Sequence, residues 1–162
     1  MVGTLFTYIL CLIGFSIILI YCIAITVYNN ELPNSISQIV YSLDERWKWT
    51  FSAVMVAVSF MIMPQLMEVA GDKYSFLSYL ICVGIIGVGA DPLVKGEKNI
   101  VHYVSAIIMG VSCQLLVYFI SPWFLALWIG YIAYTLYQED GSKNMFIGQA
   151  VMGLSTAAIC LL

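Results

Sequence analysis

Six apolar runs, separated by short polar stretches, dominate the chain. A run of about 20 apolar residues is long enough for an α-helix to cross the hydrocarbon core of a bilayer. The pattern therefore predicts an all-α, polytopic integral membrane bundle that forms a single transmembrane domain over residues 1–162. The six transmembrane helices are predicted at about 4–28, 49–69, 74–90, 99–120, 123–137 and 144–162. The fifth run is shorter than the others and rich in Trp and Tyr.

The polar stretch after the first run carries a helical pattern of its own. Ser35-x-x-Gln38 has the form of a capping box. Apolar residues then recur at the spacing of one helix face, at Ile36, Ile39, Val40, Leu43 and Trp47. We predict a short amphipathic helix over about 35–47 that lies in the membrane interface. An ordinary loop is the alternative.

A line of small residues marks the end of the third run. Gly84 and Gly87 precede Asp91 at positions i, i+3 and i+7, so that a groove on one helix face leads to the carboxylate. Small residues let helices approach closely in lipid, and close packing is the alternative to a ligand-binding role for this groove.

The composition agrees with a membrane protein. The chain is 62% apolar and 9% charged, with a mean hydropathy of +0.98, whereas an ordinary soluble domain is about 25% charged. A net charge of −3 argues against a nucleic-acid partner, because there is no basic patch to neutralise phosphates. The expected partners are membrane lipids and, for an oligomer, further copies of the chain.

The cations are distributed unevenly between the predicted loops. Five of the six fall on one side of the predicted bundle, at Arg46, Lys48, Lys95, Lys98 and Lys143. Lys73 alone falls on the other side. The positive-inside rule makes the five-cation side cytoplasmic. We therefore predict a multi-pass protein of the bacterial inner membrane with both termini on the non-cytoplasmic side.

Three short motifs resemble those of the DRAM/Frag-type membrane proteins and their bacterial relatives. The motifs are Pro33-Asn34-Ser35-Ile36-Ser37, the run from Ile85 to Pro92, and His102-Tyr103-Val104-Ser105-Ala106. The resemblance covers roughly residues 28–118 and implies a six-helix bundle. Its bacterial members are largely uncharacterised, while eukaryotic members are linked to membrane trafficking and lipid organisation. Gln149 stands where the resemblance implies an acidic residue in the last helix.

The first group of candidate functional residues maps to the predicted cytoplasmic face. It comprises Ser35, Ser37, Asp91, His102 and Ser105. A carboxylate that orients a histidine near a hydroxyl can activate a nucleophile or hold a polar ligand. A hydrogen bond that only fixes two helix ends is the structural alternative. An ionisable group at a membrane boundary nevertheless points to function, and a histidine titrates near neutral pH.

A second group of polar residues suggests a pathway across the bundle. Gln65 and Glu68 share a helix face at the opposite boundary, and Gln149 and Thr156 lie on a polar stripe of the sixth run. A solvated boundary position is the alternative for Glu68. We expect no metal and no cofactor. There is one histidine, and the five cysteines, inside apolar runs and without CxxC spacing, have the character of small apolar side chains.

Three function classes follow from these residues. The first is a cofactor-free membrane protein that binds or organises lipid or another amphiphile through the polar pocket at the cytoplasmic face. The second is a small homo-oligomeric channel or transporter lined by the pathway residues. The third is a membrane-embedded hydrolase, which would make the chain an enzyme. We rank it last, because no strand–turn–helix nucleophile motif is present.

Overall fold

The computed structural model describes residues 2–90, 100–138 and 141–162, with side chains from residue 5 onward. The described residues form helices, turns and short connections, without a strand. The five α-helices are α1 Val2–Asn29, α2 Lys48–Gly89, α3 Ile100–Ile120, α4 Leu127–Tyr137 and α5 Asn144–Cys160. Shorter 3-10 helices cover Ile36–Ser42, Glu45–Trp47, Pro122–Ala126 and Gly141–Lys143. The predicted all-α class is confirmed.

Helix α2 is a hairpin of two antiparallel arms. Gly71 interrupts the helical backbone with φ 60° and ψ −176°, a conformation that favours glycine. The Ser59 hydroxyl donates to the carbonyl oxygen of Cys82 across the hairpin, at 3.1 Å. A Cβ atom at Gly89 would lie 2.6 Å from the Met55 Cβ. The chain therefore turns at Gly71, between the predicted helices 49–69 and 74–90, and the arms 48–70 and 72–89 match the second and third apolar runs closely.

The other neighbouring helices also pack in antiparallel pairs. α1 packs on the first arm of α2, where a Cβ at Gly14 would lie 2.9 Å from Ile62 Cγ2. The second arm packs on α3, and the rings of Tyr74 and Phe119 stack with centroids 4.5 Å apart. α4 packs on α5 through Tyr131, which faces Gly148.

Because successive helices run in opposite directions, their connections lie at two ends of the bundle. We call one the loop end; it contains residues 30–47 and the starts of α3 and α5. We call the other the turn end; it contains Gly71, residues 121–126 and residues 161–162. The six apolar runs thus correspond to six helical segments that alternate in direction.

The core lies where α1, α2, α3 and α5 meet. Its largest side chains are almost fully buried, at Ile62, Leu66, Leu77, Ile81, Leu116 and Ile159. Four cysteines lie in the same cluster as small apolar side chains, at Cys11, Cys82, Cys113 and Cys160. A smaller cluster of Val40, Phe51, Met55 and Val88 closes the loop end.

The outer surface is strongly apolar. Forty large apolar or aromatic side chains among the described residues are exposed. A soluble monomer rarely exposes a contiguous apolar patch of more than a few hundred Å². Within the described ranges, three helical stretches are long and apolar enough to cross a bilayer: Leu5–Asn29, Glu45–Gly89 and Ile100–Ile120. The Glu45–Gly89 stretch contains both arms of the α2 hairpin. The chain thus has the surface and the helices of a membrane protein.

The first loop differs from the single helix predicted over 35–47. It forms two 3-10 helices, Ile36–Ser42 and Glu45–Trp47, and Leu43 between them is extended, with φ −88° and ψ 146°. Ser42 lies at the break, where its hydroxyl donates to the carbonyl oxygen of Ile39. A serine side chain that bonds to nearby backbone competes with helix formation. The apolar stripe is used differently as well, because Ile39 and Val40 are buried against the bundle.

The fifth predicted span is built from two kinds of helix. Its first turns are 3-10, over Pro122–Ala126, and only Leu127–Tyr137 is α-helical. These 11 α-helical residues rise by about 17 Å at 1.5 Å each. α4 lies at the edge of the bundle and has no fully buried residue.

Candidate functional site

The predicted serines cap the first 3-10 helix. The Ser35 side chain is buried, and its oxygen accepts a hydrogen bond from the backbone N–H of Gln38 at 3.2 Å. The hydroxyls of Ser35 and Ser37 share a second hydrogen bond of 3.1 Å. The capping role that the sequence predicts for Ser35 is confirmed. This cap holds the first loop in place at the loop end of the bundle.

The other predicted pocket residues lie at the start of α3. His102 is half-buried, and its ring stands edge-on to Tyr103 at a centroid distance of 5.7 Å. Ser105 faces the second arm of α2, where a Cβ at Gly87 would meet its hydroxyl oxygen at 2.0 Å. Helix α3 therefore packs against the groove of Gly84 and Gly87. Close helix packing is the alternative to a ligand-binding role for this groove. Asp91 lies outside the described residues, and its pairing with His102 stays a prediction.

Gln65 and Glu68 lie together at the turn end, as their spacing suggests. The Thr7 hydroxyl is 2.9 Å from Gln65 Oε1 and 2.8 Å from Glu68 Oε2, and can donate to either. Gln65 is buried and its Nε2 donates to the carbonyl oxygen of Cys160 at 3.2 Å. These bonds tie α1, α2 and α5 together. A groove of about 380 Å³ lies beside them and is lined by Tyr8, Gln65, Glu68 and the last residues of the chain.

The other two predicted pathway residues, Gln149 and Thr156, lie on α5. Gln149 Oε1 accepts a hydrogen bond from the backbone N–H of Ile36 at 2.7 Å, so that Gln149 belongs to the loop end. Thr156 is buried and donates to the carbonyl oxygen of Met152 in its own helix. Gln149 and Cys160 are about 16 Å apart along the helix axis. The polar stripe on α5 therefore runs from one end of the bundle to the other.

A polar cavity that the sequence did not indicate lies at the loop end. It has a volume of about 490 Å³ and lies between the end of α1, the first loop and the start of α5. We call it the loop pocket. Its polar lining includes Asn29, Glu31, Asn34, Gln38, Ser42 and Lys143. Ser35 and Ser37 adjoin it in the chain without lining it.

Lys143 builds one wall of the loop pocket. Its ammonium group donates to the carbonyl oxygen of Leu32 and to Asn34 Oδ1, the latter at 2.9 Å. Asn29 also lines the pocket, and its Nδ2 donates to the Ser42 hydroxyl at 2.7 Å, which joins α1 to the loop. No local signal predicts this wall, because Lys143 comes from the far end of the chain.

The described residues contain no group of three His, Cys, Asp or Glu side chains that could hold a metal ion. Comparison with known proteins adds no assignment, since no family model, curated protein or solved structure matches the chain.

Proposed function

We propose that the chain is an integral membrane protein that crosses the bilayer six times and binds the headgroup of a membrane amphiphile in the loop pocket. The observation that carries this proposal is the position of Lys143, in the wall of a polar cavity that adjoins the apolar surface of α1. A volume of about 490 Å³ lies within the usual range for small-molecule sites, about 300–1,000 Å³.

The arrangement suits a molecule that is polar at one end and apolar at the other. The pocket lies where α1 ends, and on the helix face of its lining residue Thr26 the preceding turns of α1 expose Ile23 and Leu19 to the surroundings. A chain lying along that face would stay in hydrocarbon while its headgroup reached the amides and the ammonium of the pocket. The cation distribution supports a cytoplasmic position, because Arg46, Lys48 and Lys143 all lie at this end.

Co-purified lipid tests the proposal. The protein would be purified in a mild detergent, and bound amphiphiles would be counted by native mass spectrometry. We expect wild type to retain at least one amphiphile, and Lys143→Gln to retain less. Lys73→Gln, which removes a lysine at the turn end, is the matched control and should behave as wild type. Equal retention by wild type and Lys143→Gln would overturn the proposal.

A channel or transporter is the second candidate. The turn-end groove beside Gln65 and Glu68 supports it, because the polar stripe of α5 leads from there to the loop end. Its test is flux through proteoliposomes, with Glu68→Gln as the variant. Liposomes that remain tight to ions and protons would exclude this candidate. A hydrolase gains no support from the described residues, since Ser35 acts as a helix cap.

A further inference from the structure

The charges in the loop pocket narrow the chemistry of the ligand, on the premise of the function proposed above. Among the described residues, one cationic and one anionic side chain line the pocket, Lys143 and Glu31. We propose that the ligand is a phospholipid with a zwitterionic headgroup that carries a phosphate and a primary ammonium, as in phosphatidylethanolamine. An anionic headgroup without an amine would place its phosphate at Lys143 and leave Glu31 without a cationic partner.

The Lys143 side of the pocket is suited to the phosphate. An ammonium group has three N–H donors, and Lys143 donates to the Leu32 carbonyl and to Asn34 Oδ1. These two bonds fix the ammonium and leave a donor for a ligand. Because Asn34 Oδ1 is occupied by Lys143, the same amide presents its N–H₂ group as a donor. This side of the pocket therefore offers a positive charge and hydrogen-bond donors.

The Glu31 side of the pocket is suited to the ammonium. Glu31 is exposed at the rim, and it makes no ion pair with another described residue. Asn29 uses its Nδ2 to bind Ser42, which leaves its Oδ1 as an acceptor. A primary ammonium can donate to both oxygens, whereas the quaternary ammonium of a choline headgroup has no N–H to donate. The pocket thus distinguishes a headgroup with a primary ammonium from a choline headgroup.

The position of the pocket favours a membrane lipid over a soluble phosphoamine. Thr26 lines the cavity, and on the same face of α1 Ile23 is 53% exposed and Leu19 60% exposed. An acyl chain can cover this apolar surface, which a soluble ligand would leave bare. The free headgroup is therefore expected to compete poorly with the intact lipid.

The test compares lipids that share acyl chains and differ in headgroup. The full-length protein would be placed in nanodiscs with equal amounts of ethanolamine, choline and glycerol phospholipids, and retained lipids would be measured by native mass spectrometry. We expect enrichment of the ethanolamine lipid by about two- to fivefold, the range for a solvent-accessible ion pair. Glu31→Gln should abolish this preference, and Asp72→Asn at the turn end should keep it. Addition of soluble phosphoethanolamine should displace little lipid.

The outcomes separate the two proposals. Equal retention of the three lipids, with Lys143→Gln still reducing retention of all of them, would overturn the headgroup assignment and leave the amphiphile site in place. Retention that is insensitive to Lys143→Gln would overturn both. Lys143→Arg is the control for misfolding. It keeps the positive charge and the hydrogen-bond donors, so it should retain lipid as wild type does. Loss of binding in Lys143→Arg with a folded bundle would count against the phosphate contact.

Discussion

A Cβ atom at Gly87 would lie 2.0 Å from the hydroxyl oxygen of Ser105 and 2.7 Å from its Cβ. The two residues mark a close approach between the second arm of α2 and α3. Because real side chains do not approach to 2.0 Å, any residue larger than glycine forces these helices apart. The contact explains why a glycine follows Gly84 by one helix turn, and it gives Gly87 and Ser105 a packing role.

The first prediction tests this contact. Gly87→Ala should lower the free energy of unfolding by about 1–3 kcal/mol, since overpacking moves side chains or backbone. Ser105→Gly in the same chain should restore much of the loss, because it removes both clashing atoms. Gly130→Ala is the matched control, as nothing lies within 4 Å of a Cβ at that position. Thermal unfolding in detergent compares wild type, Gly87→Ala, Ser105→Gly alone, the double variant and the control, and additive effects in the double variant would contradict the contact.

The second prediction concerns the first loop. Gln149→Leu removes the acceptor of the Ile36 N–H, which is bound at 2.7 Å. A partly buried donor without its partner costs about 1–3 kcal/mol, so the loop should open more often. Hydrogen exchange should then be faster at residues 36–42 and unchanged in the core around Leu116. The exposed Gln138→Leu is the control. Unaltered exchange in the loop would show that Gln149 does not hold it.

The third prediction concerns the α2 hairpin and the six-span topology. Single cysteines at positions 45 and 72 should be labelled by a membrane-impermeant maleimide from opposite sides of the membrane. Asp72→Cys lies at the turn end and should react from the outside of intact cells. Glu45→Cys lies at the loop end and should react only after permeabilisation. The wild-type cysteines, four of them buried, set the background. Labelling of both positions from one side would contradict the topology.

The fourth prediction concerns Gln65, whose side chain bonds to Thr7 and to the backbone of Cys160. Gln65→Leu should lower the free energy of unfolding by about 1–3 kcal/mol, because the Cys160 carbonyl oxygen loses the Gln65 donor, whereas Thr7 can still donate to Glu68. Met67→Leu, in the same helix and only half-buried, is the control. Denaturant unfolding in detergent gives the comparison. A stable Gln65→Leu protein would show that water replaces the amide.

Local patterns predict much of this fold correctly. The apolar runs give the ends of the helices to within a few residues, and Gly71 with Asp72 and Lys73 marks the hairpin turn. Ser35 was recognised as a cap because its partner, Gln38, is three residues away. The first loop is the exception. Its apolar spacing suits an α-helix, but the side-chain bond of Ser42 and the extended Leu43 divide it into two 3-10 helices.

The candidate site could be predicted only in part. The sequence pattern places Ser35 and Gln149 in different sites, whereas the structure joins Gln149 to the residue after Ser35. For Lys143 the pattern predicts only a charge on the cytoplasmic side. The sequence pattern contains no information on which loop it contacts, because that depends on how α5 packs against α1 and the first loop.

The sequence by itself determined the all-α class, the apolar surface suited to lipid and the places where the chain turns. These properties follow from hydrophobic length and from residues within one or two helix turns. Only the tertiary structure decided which polar groups meet: Lys143 with Leu32 and Asn34, and Gln65 with Thr7 and Cys160. The physical reason is that such bonds form between helices far apart in the chain, where packing over whole helix faces sets the neighbours.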